Sequence, residues 1–178
     1  MIKWLIVAAL GIGLFSACSE TKKTAPVEVP AASPPAVSRV YQIEEAGLQL
    51  VIPAGWGVEQ RSAEQTAAVA PDGSLAVIFR VAPNPAGREP VVDEVLQQVQ
   101  KSLQNVKVTE RGKPGQTGGV PSVTHSGTGE MNGLPMVWRL DLIEGRRPVA
   151  VYSIADQGAL NRHRSSFEAL FNSITKTG

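Results

Sequence analysis

The chain has little of what most protein sites are built from. Its 178 residues contain one cysteine and two histidines. A single thiol excludes an internal disulfide framework and any cysteine-rich zinc site. Two isolated imidazoles do not make a metal centre, so neither a metal nor a cofactor is expected. No sign of charge prevails, because 17 Lys and Arg stand against 16 Asp and Glu. A nucleic-acid binder draws phosphate with a basic excess or patch, and that class is excluded. No Gly-x-Ser-x-Gly nucleophile elbow occurs. The segment Gly112 to Gly119 (GKPGQTGG) lacks the spacing of a phosphate loop, and Pro114 removes a backbone donor from it. What the chain does have is the composition of a packed protein, 43% hydrophobic and 19% charged, at the length of about one domain.

The N-terminus reads as an export signal. Lys3 gives a basic start, Trp4 to Phe15 is apolar apart from two glycines, and the small pair Ser16 and Ala17 precedes Cys18. The run is shorter than the roughly 20 residues of a membrane span. Polar residues Ser19 to Thr24 follow it, so there is no stop-transfer pattern. Leu14-Phe15-Ser16-Ala17-Cys18 resembles a bacterial lipobox. The resemblance implies cleavage between Ala17 and Cys18 and acylation of Cys18 with diacylglyceryl and a further chain such as palmitate. The plainer reading is a signal peptide that holds its cysteine by chance. Acylation would remove a lone reactive thiol and, at about 0.8 kcal/mol per buried CH₂, would anchor the protein stably. Residues 1–17 are thus the expected signal peptide. By resemblance to Gram-negative lipoproteins, Ser19 after the cysteine, where Asp is absent, implies the outer membrane facing the periplasm rather than the inner membrane.

Residues 18–38 are the expected lipidated cysteine and tether. Pro26, Pro30, Pro34 and Pro35 lie among alanines with no aromatic residue. Such a segment buries too little surface to repay its ordering entropy. Extended at about 3.1 Å per residue, it would hold a domain up to about 60 Å from the membrane.

Residues 39–178 are expected to fold. Gly47 to Ile52, Trp56 to Glu59, Thr66 to Ala70 and Leu75 to Val81 read as strands, divided by Pro53-Ala54-Gly55 and Pro71-Asp72-Gly73. Val92, Val95, Leu96, Val99, Leu103 and Val106 recur at helical spacing, with Pro90, Asp93 and Glu94 in the first turns. Val106 to Glu110 begins a strand, and the glycine-rich Arg111 to Gly119 reads as a flexible connection. Val120 to Glu130, Leu134 to Glu144 and Pro148 to Ala155 form a meander turned at Asn132-Gly133 and at Glu144 to Arg147. One helix is expected over Gly158 to Ser173. The order gives an α+β fold with a mostly antiparallel sheet covered by helices.

Two segments carry a resemblance. Gly47 to Trp56 (GLQLVIPAGW) is similar to the opening strand and turn of the PsbP-like superfamily, and Phe167 to Ile174 (FEALFNSI) to its closing helix. That superfamily includes bacterial envelope lipoproteins, photosystem II extrinsic proteins and a Ran-binding nuclear import factor. The resemblance implies an α/β/α sandwich and an accessory or docking role without catalysis.

The functional candidates are few. Trp56 and Trp138 either anchor an interface, as tryptophan often does, or close the edge of the core. Arg139 beside Trp138, together with the Arg146-Arg147 turn, forms a candidate partner- or anion-binding rim. His125 sits among hydroxyls in a strand, and His163 lies between Arg162 and Arg164. Either would be the base of a hydrolase acting on envelope material if it met a nucleophile in a cleft. The leading expectation is a lipid-anchored, non-catalytic envelope protein that docks to an envelope partner or holds a small ligand.

Overall fold

The computed structural model describes residues 37–178. The expected signal peptide, Cys18 and all of the tether before Val37 lie outside the described residues. Seven strands pair into one antiparallel sheet: β3 (Gly57–Ser62), β4 (Gln65–Val69), β5 (Ala76–Val81), β6 (Gln104–Thr117), β7 (Val120–Met131), β8 (Leu134–Ile143) and β9 (Val149–Asp156). Their spatial order is β3-β4-β5-β9-β8-β7-β6. A smaller sheet, β1-β2-β10, joins β1 (Arg39–Ile43), β2 (Leu48–Ile52) and β10 (Thr175–Lys176). Three helices complete the domain: α1 (Arg88–Ser102), α2 (Gln157–Arg162) and α3 (Arg164–Asn172).

Side-chain alternation assigns the two faces of the large sheet. Along β9, Val149, Val151 and Ala155 enter one core while Ala150 and Tyr152 enter another. The first core is the larger. It joins Leu48, Leu50 and Ile52 of β2 and Phe167, Leu170 and Phe171 of α3 to Val77 and Phe79 of β5. The second sets Val91 and Val95 of α1 on Leu140 and Leu142 of β8. The domain is therefore layered, with α1 on one face and α2, α3 and the small sheet on the other. Each fully buried Leu or Val contributes about 1.5–3 kcal/mol against its exposed state.

Several boundaries differ from expectation. The expected closing helix breaks at His163 into α2 and α3, and Asp156 caps the first of these by accepting from the Ala159 N–H at 2.9 Å. Helix α1 stops at Ser102, so Val106 belongs to β6, and Val91 rather than Val92 is the fully buried residue of its first turn. Glu94 does not serve the helix end; it pairs with Arg80 of β5 at 2.6 Å. The segment Arg111 to Gly119 is no flexible connection. Its residues to Thr117 extend β6 along β7. An edge strand exposed on both faces needs no apolar alternation, which removes the signal used to find it. Three register shifts between Gln104 and Lys113 twist this edge, and such irregularity discourages pairing with another chain.

Candidate functional site

The large sheet reaches further than the elements that cover it. On the α3 side, β6, β7 and β8 leave an open trough between α2–α3 and the β6 edge. Cross-strand register places Thr124, Ser126 and Thr128 of β7 opposite Asp141, Arg139 and Val137 of β8, so all six share this face. Three contiguous cavities occupy the trough. The first, about 700 Å³, and the second, about 380 Å³, share Thr128 and Val137. The second and the third, about 290 Å³, share Ser126 and Arg139. The central cavity combines apolar Val137, Ala155, Leu160 and Phe167 with hydroxyls of Thr109, Ser126, Thr128 and Ser153. Arg139, Arg164 and Glu168 supply its charges. A largely apolar concavity with a few placed polar groups is the usual form of a small-ligand site.

A buried carboxylate fixes the trough's central arginine. Asp141 is wholly buried, whereas the Arg139 side chain is 44% exposed. Arg139 Nε donates to Asp141 Oδ2 at 2.7 Å and Nη2 donates to Oδ1 at 3.2 Å. The Thr124 hydroxyl donates to the same Oδ1 at 2.5 Å. The guanidinium also lies over the Phe171 ring, 5.1 Å from its centroid. Beside it, Lys113 pairs with Glu110 at 2.6 Å and holds that carboxyl below its ordinary pKa.

The two tryptophans are inside the protein. Trp56 is 5% exposed in the main core, and Trp138 is 3% exposed against Val99 and Leu103 below α1. Gly127 lies directly opposite Trp138, and a Cβ there would meet the Lys107 carbonyl at 2.1 Å and the indole at 2.7 Å. Of the candidates, Arg139 and Trp138 border the central cavity, Trp138 with its ring packed on the far face against Val99 and Leu103. Arg146 and Arg147 lie elsewhere and tie the β8–β9 turn to the 3-10 turn Glu44–Ala46. Arg146 Nη2 donates to the Glu44 carbonyl at 2.7 Å, Arg147 Nε to the Ala82 carbonyl at 2.6 Å, and Arg147 also pairs with Glu45.

The histidines are apart from each other and from the trough. His125 faces the α1 side opposite Leu140. Its Nδ1 is buried with no hydrogen-bond partner among the described residues. Burial, and then the Arg111 charge, push its pKa below the ordinary value. His163, at the α2–α3 break, is bonded through Nε2 to Asp72 Oδ1 at 2.9 Å and meets Trp56 edge-on. Ser74 Oγ donates to that same Asp72 oxygen at 2.7 Å. The carboxylate thus sits between hydroxyl and imidazole, whereas a nucleophilic triad needs the imidazole in the middle. These bonds, those of Ser74 foremost, hold Asp72 well below the usual carboxylate range. Neither histidine lines the trough or the cavities at α1 and beside Ser38. Among the described residues no His, Cys, Asp or Glu cluster fits a metal ion, and no helix is long and apolar enough to cross a membrane.

The architecture has solved counterparts. The cyanobacterial PsbP (CyanoP) of Synechocystis sp. PCC 6803 superposes with a TM-score of 0.54 at 10% identity, over 85% of this chain and 99% of that one. The fold is PsbP-like. LpqN, involved in cell envelope biogenesis of Mycobacterium tuberculosis, superposes on this PsbP-like domain with a TM-score of 0.50 at 14% identity, over 83% and 88% of the two chains. A Bacteroides thetaiotaomicron protein aligns with a TM-score of 0.49 at 11% identity, and the chain spans only 47% of its length. No protein-family model and no curated protein matches the sequence. The sequence segments GLQLVIPAGW and FEALFNSI form β2 with its turn and α3 with its exit, the parts that close the larger core.

Proposed function

We propose that this chain is a lipid-anchored accessory protein of the bacterial cell envelope, outer membrane facing the periplasm, that acts by binding and not by catalysis. Cys18 would carry the anchor, the Pro-rich segment would act as spacer, and the PsbP-like domain would do the binding. The observation that carries the reading is the trough over β6–β8. It combines an apolar wall with fixed polar groups, and no histidine lines it. LpqN, a structural neighbour involved in cell envelope biogenesis of Mycobacterium tuberculosis, supports the envelope setting. The competing hydrolase reading would use His125 or His163; among the described residues His125 Nδ1 has no hydrogen-bond partner, and His163 bonds Asp72 rather than a hydroxyl.

Two experiments test this. Palmitate labelling in the native host should mark the wild-type chain and leave Cys18→Ala unlabelled; label persisting in that variant would end the lipobox reading. A photo-crosslinking residue at Glu168, in the trough wall, should capture a defined ligand or envelope protein from the anchored protein. The same residue at Glu59, on the far β3 edge, should not. Equal capture from both positions would reject the trough as the working surface.

A further inference from the structure

The buried pair beneath the trough suggests what the trough takes. A carboxylate–guanidinium pair with one partner fully buried adds little net stability, because desolvation offsets most of the Coulomb attraction. The effect of Asp141 is positional. It engages Nε and Nη2 of Arg139, Thr124 braces the carboxylate, and the Phe171 ring supports the guanidinium face. Arg139 is then held in one orientation while remaining 44% exposed, and Nη1 has no partner among the described residues. Asp141 is out of reach below, so a ligand meets the guanidinium and not that carboxylate, while Glu110 in the adjoining cavity is engaged by Lys113 and the Ser126 hydroxyl. Arg164 lies in the same cavity wall, held to Asn161 at 2.8 Å. Hydroxyls of Ser126, Thr128 and Ser153 surround the two, and Leu160, Phe167 and Ala155 form the apolar side.

We infer that the central cavity is a site for a small amphipathic anion: a carboxylate or phosphate group set against Arg139 and Arg164, with an apolar body along Leu160 and Phe167. The inference rests on the binding role proposed above and names its ligand class. Glu168, in the same wall, disfavours a second negative charge on the ligand's body. A guanidinium already oriented by a second carboxylate loses less freedom on binding, which favours a charge-assisted contact over a neutral one. The volume, about 380 Å³, suits a medium-chain acid.

The test uses the full mature lipoprotein extracted in an uncharged detergent, titrated calorimetrically with four probes: decanoate, decyl phosphate, decanol and inorganic phosphate. Decanoate and decyl phosphate should bind, decanol about tenfold or more weakly, and inorganic phosphate not measurably. Arg164→Gln, on an exposed helix face, should weaken decanoate binding about tenfold and leave the melting temperature unchanged. The paired change Arg139→Gln with Asp141→Asn, which leaves no unpaired buried charge, should do the same. Vesicles of phosphatidylglycerol separate the sources. Competition by these vesicles against decanoate would place the anion on a membrane lipid, and its absence would make it a free ligand. Decanol binding as well as decanoate, or decanoate binding unaffected by both arginine variants, would overturn the anion assignment. If Glu168 crosslinking still captured a protein partner in that case, the trough would remain the working surface and only its ligand class would fall.

Discussion

Removing Arg139 should cost far more stability than removing the residue it bonds. The pair is asymmetric: Asp141 is fully buried, while the Arg139 side chain is 44% exposed. Arg139→Leu leaves a buried carboxylate with only the Thr124 hydroxyl for company. Deleting one partner of a buried ion pair costs about 3–5 kcal/mol; partial water access at Arg139 lowers the expectation to about 2–3 kcal/mol. Asp141→Leu leaves a guanidinium that can turn to solvent, and should cost about 1 kcal/mol or less. The double variant removes both charges and should return to within about 1 kcal/mol of the wild type. For a domain of this size the Arg139→Leu loss corresponds to a melting temperature lower by about 6–10 °C. Urea unfolding followed by tryptophan fluorescence is a suitable assay, because Trp56 and Trp138 are both buried and report on opposite faces of the sheet. Equal losses in the two single variants, or a double variant as unstable as their sum, would refute the reasoning.

Three other perturbations follow from the packing. Gly127→Val should destabilise by about 1–3 kcal/mol or prevent folding, since its Cβ would fall on the Lys107 carbonyl and the Trp138 ring; denaturant midpoints check this. Leu140→Ala, at a wholly buried point under α1, should lower stability by about 2–5 kcal/mol, and an effect under 1 kcal/mol in the same assay would contradict the placement of that core. Asp72→Asn should destabilise at neutral pH. The folded state holds the Asp72 carboxyl below its unfolded value, so its contribution is present above about pH 4 and fades as pH falls below that; melting curves of the two proteins should therefore converge in acid.

How much of this the sequence reveals depends on the element. Strands β5, β8 and β9 alternate or run apolar because both faces are covered, and Val77, Phe79, Val149 and Val151 announce themselves. Strand β6 does not, because its side chains answer to solvent on both faces and its glycines resemble a loop. The β1–β2–β10 sheet is hidden for another reason: Thr175–Lys176 is two residues long and exists only through its pairing with β2. The break falls at His163, which bonds Asp72, 91 residues away, a tertiary contact that no local pattern encodes. At the trough, Arg139 stands out in sequence for the wrong neighbour. Trp138 beside it points to the other face, whereas its true partner, Asp141, is two residues on. That i, i+2 spacing of Arg and Asp in a strand is the signal for a same-face pair, and it was readable. Phe171, Arg164 and the β7 hydroxyls meet it only through register and helix placement.

The central claim is that an acylated chain works through the trough. Native mass spectrometry of protein extracted from its own membranes, wild type beside Thr128→Trp, tests it most directly, because Thr128 borders both larger cavities. The account predicts a wild-type mass that begins at Cys18, carries acyl chains and retains a stoichiometric extra mass. Thr128→Trp should keep the acyl chains and lose that extra mass. An unacylated chain, or a bound mass equally retained in both proteins, would contradict it.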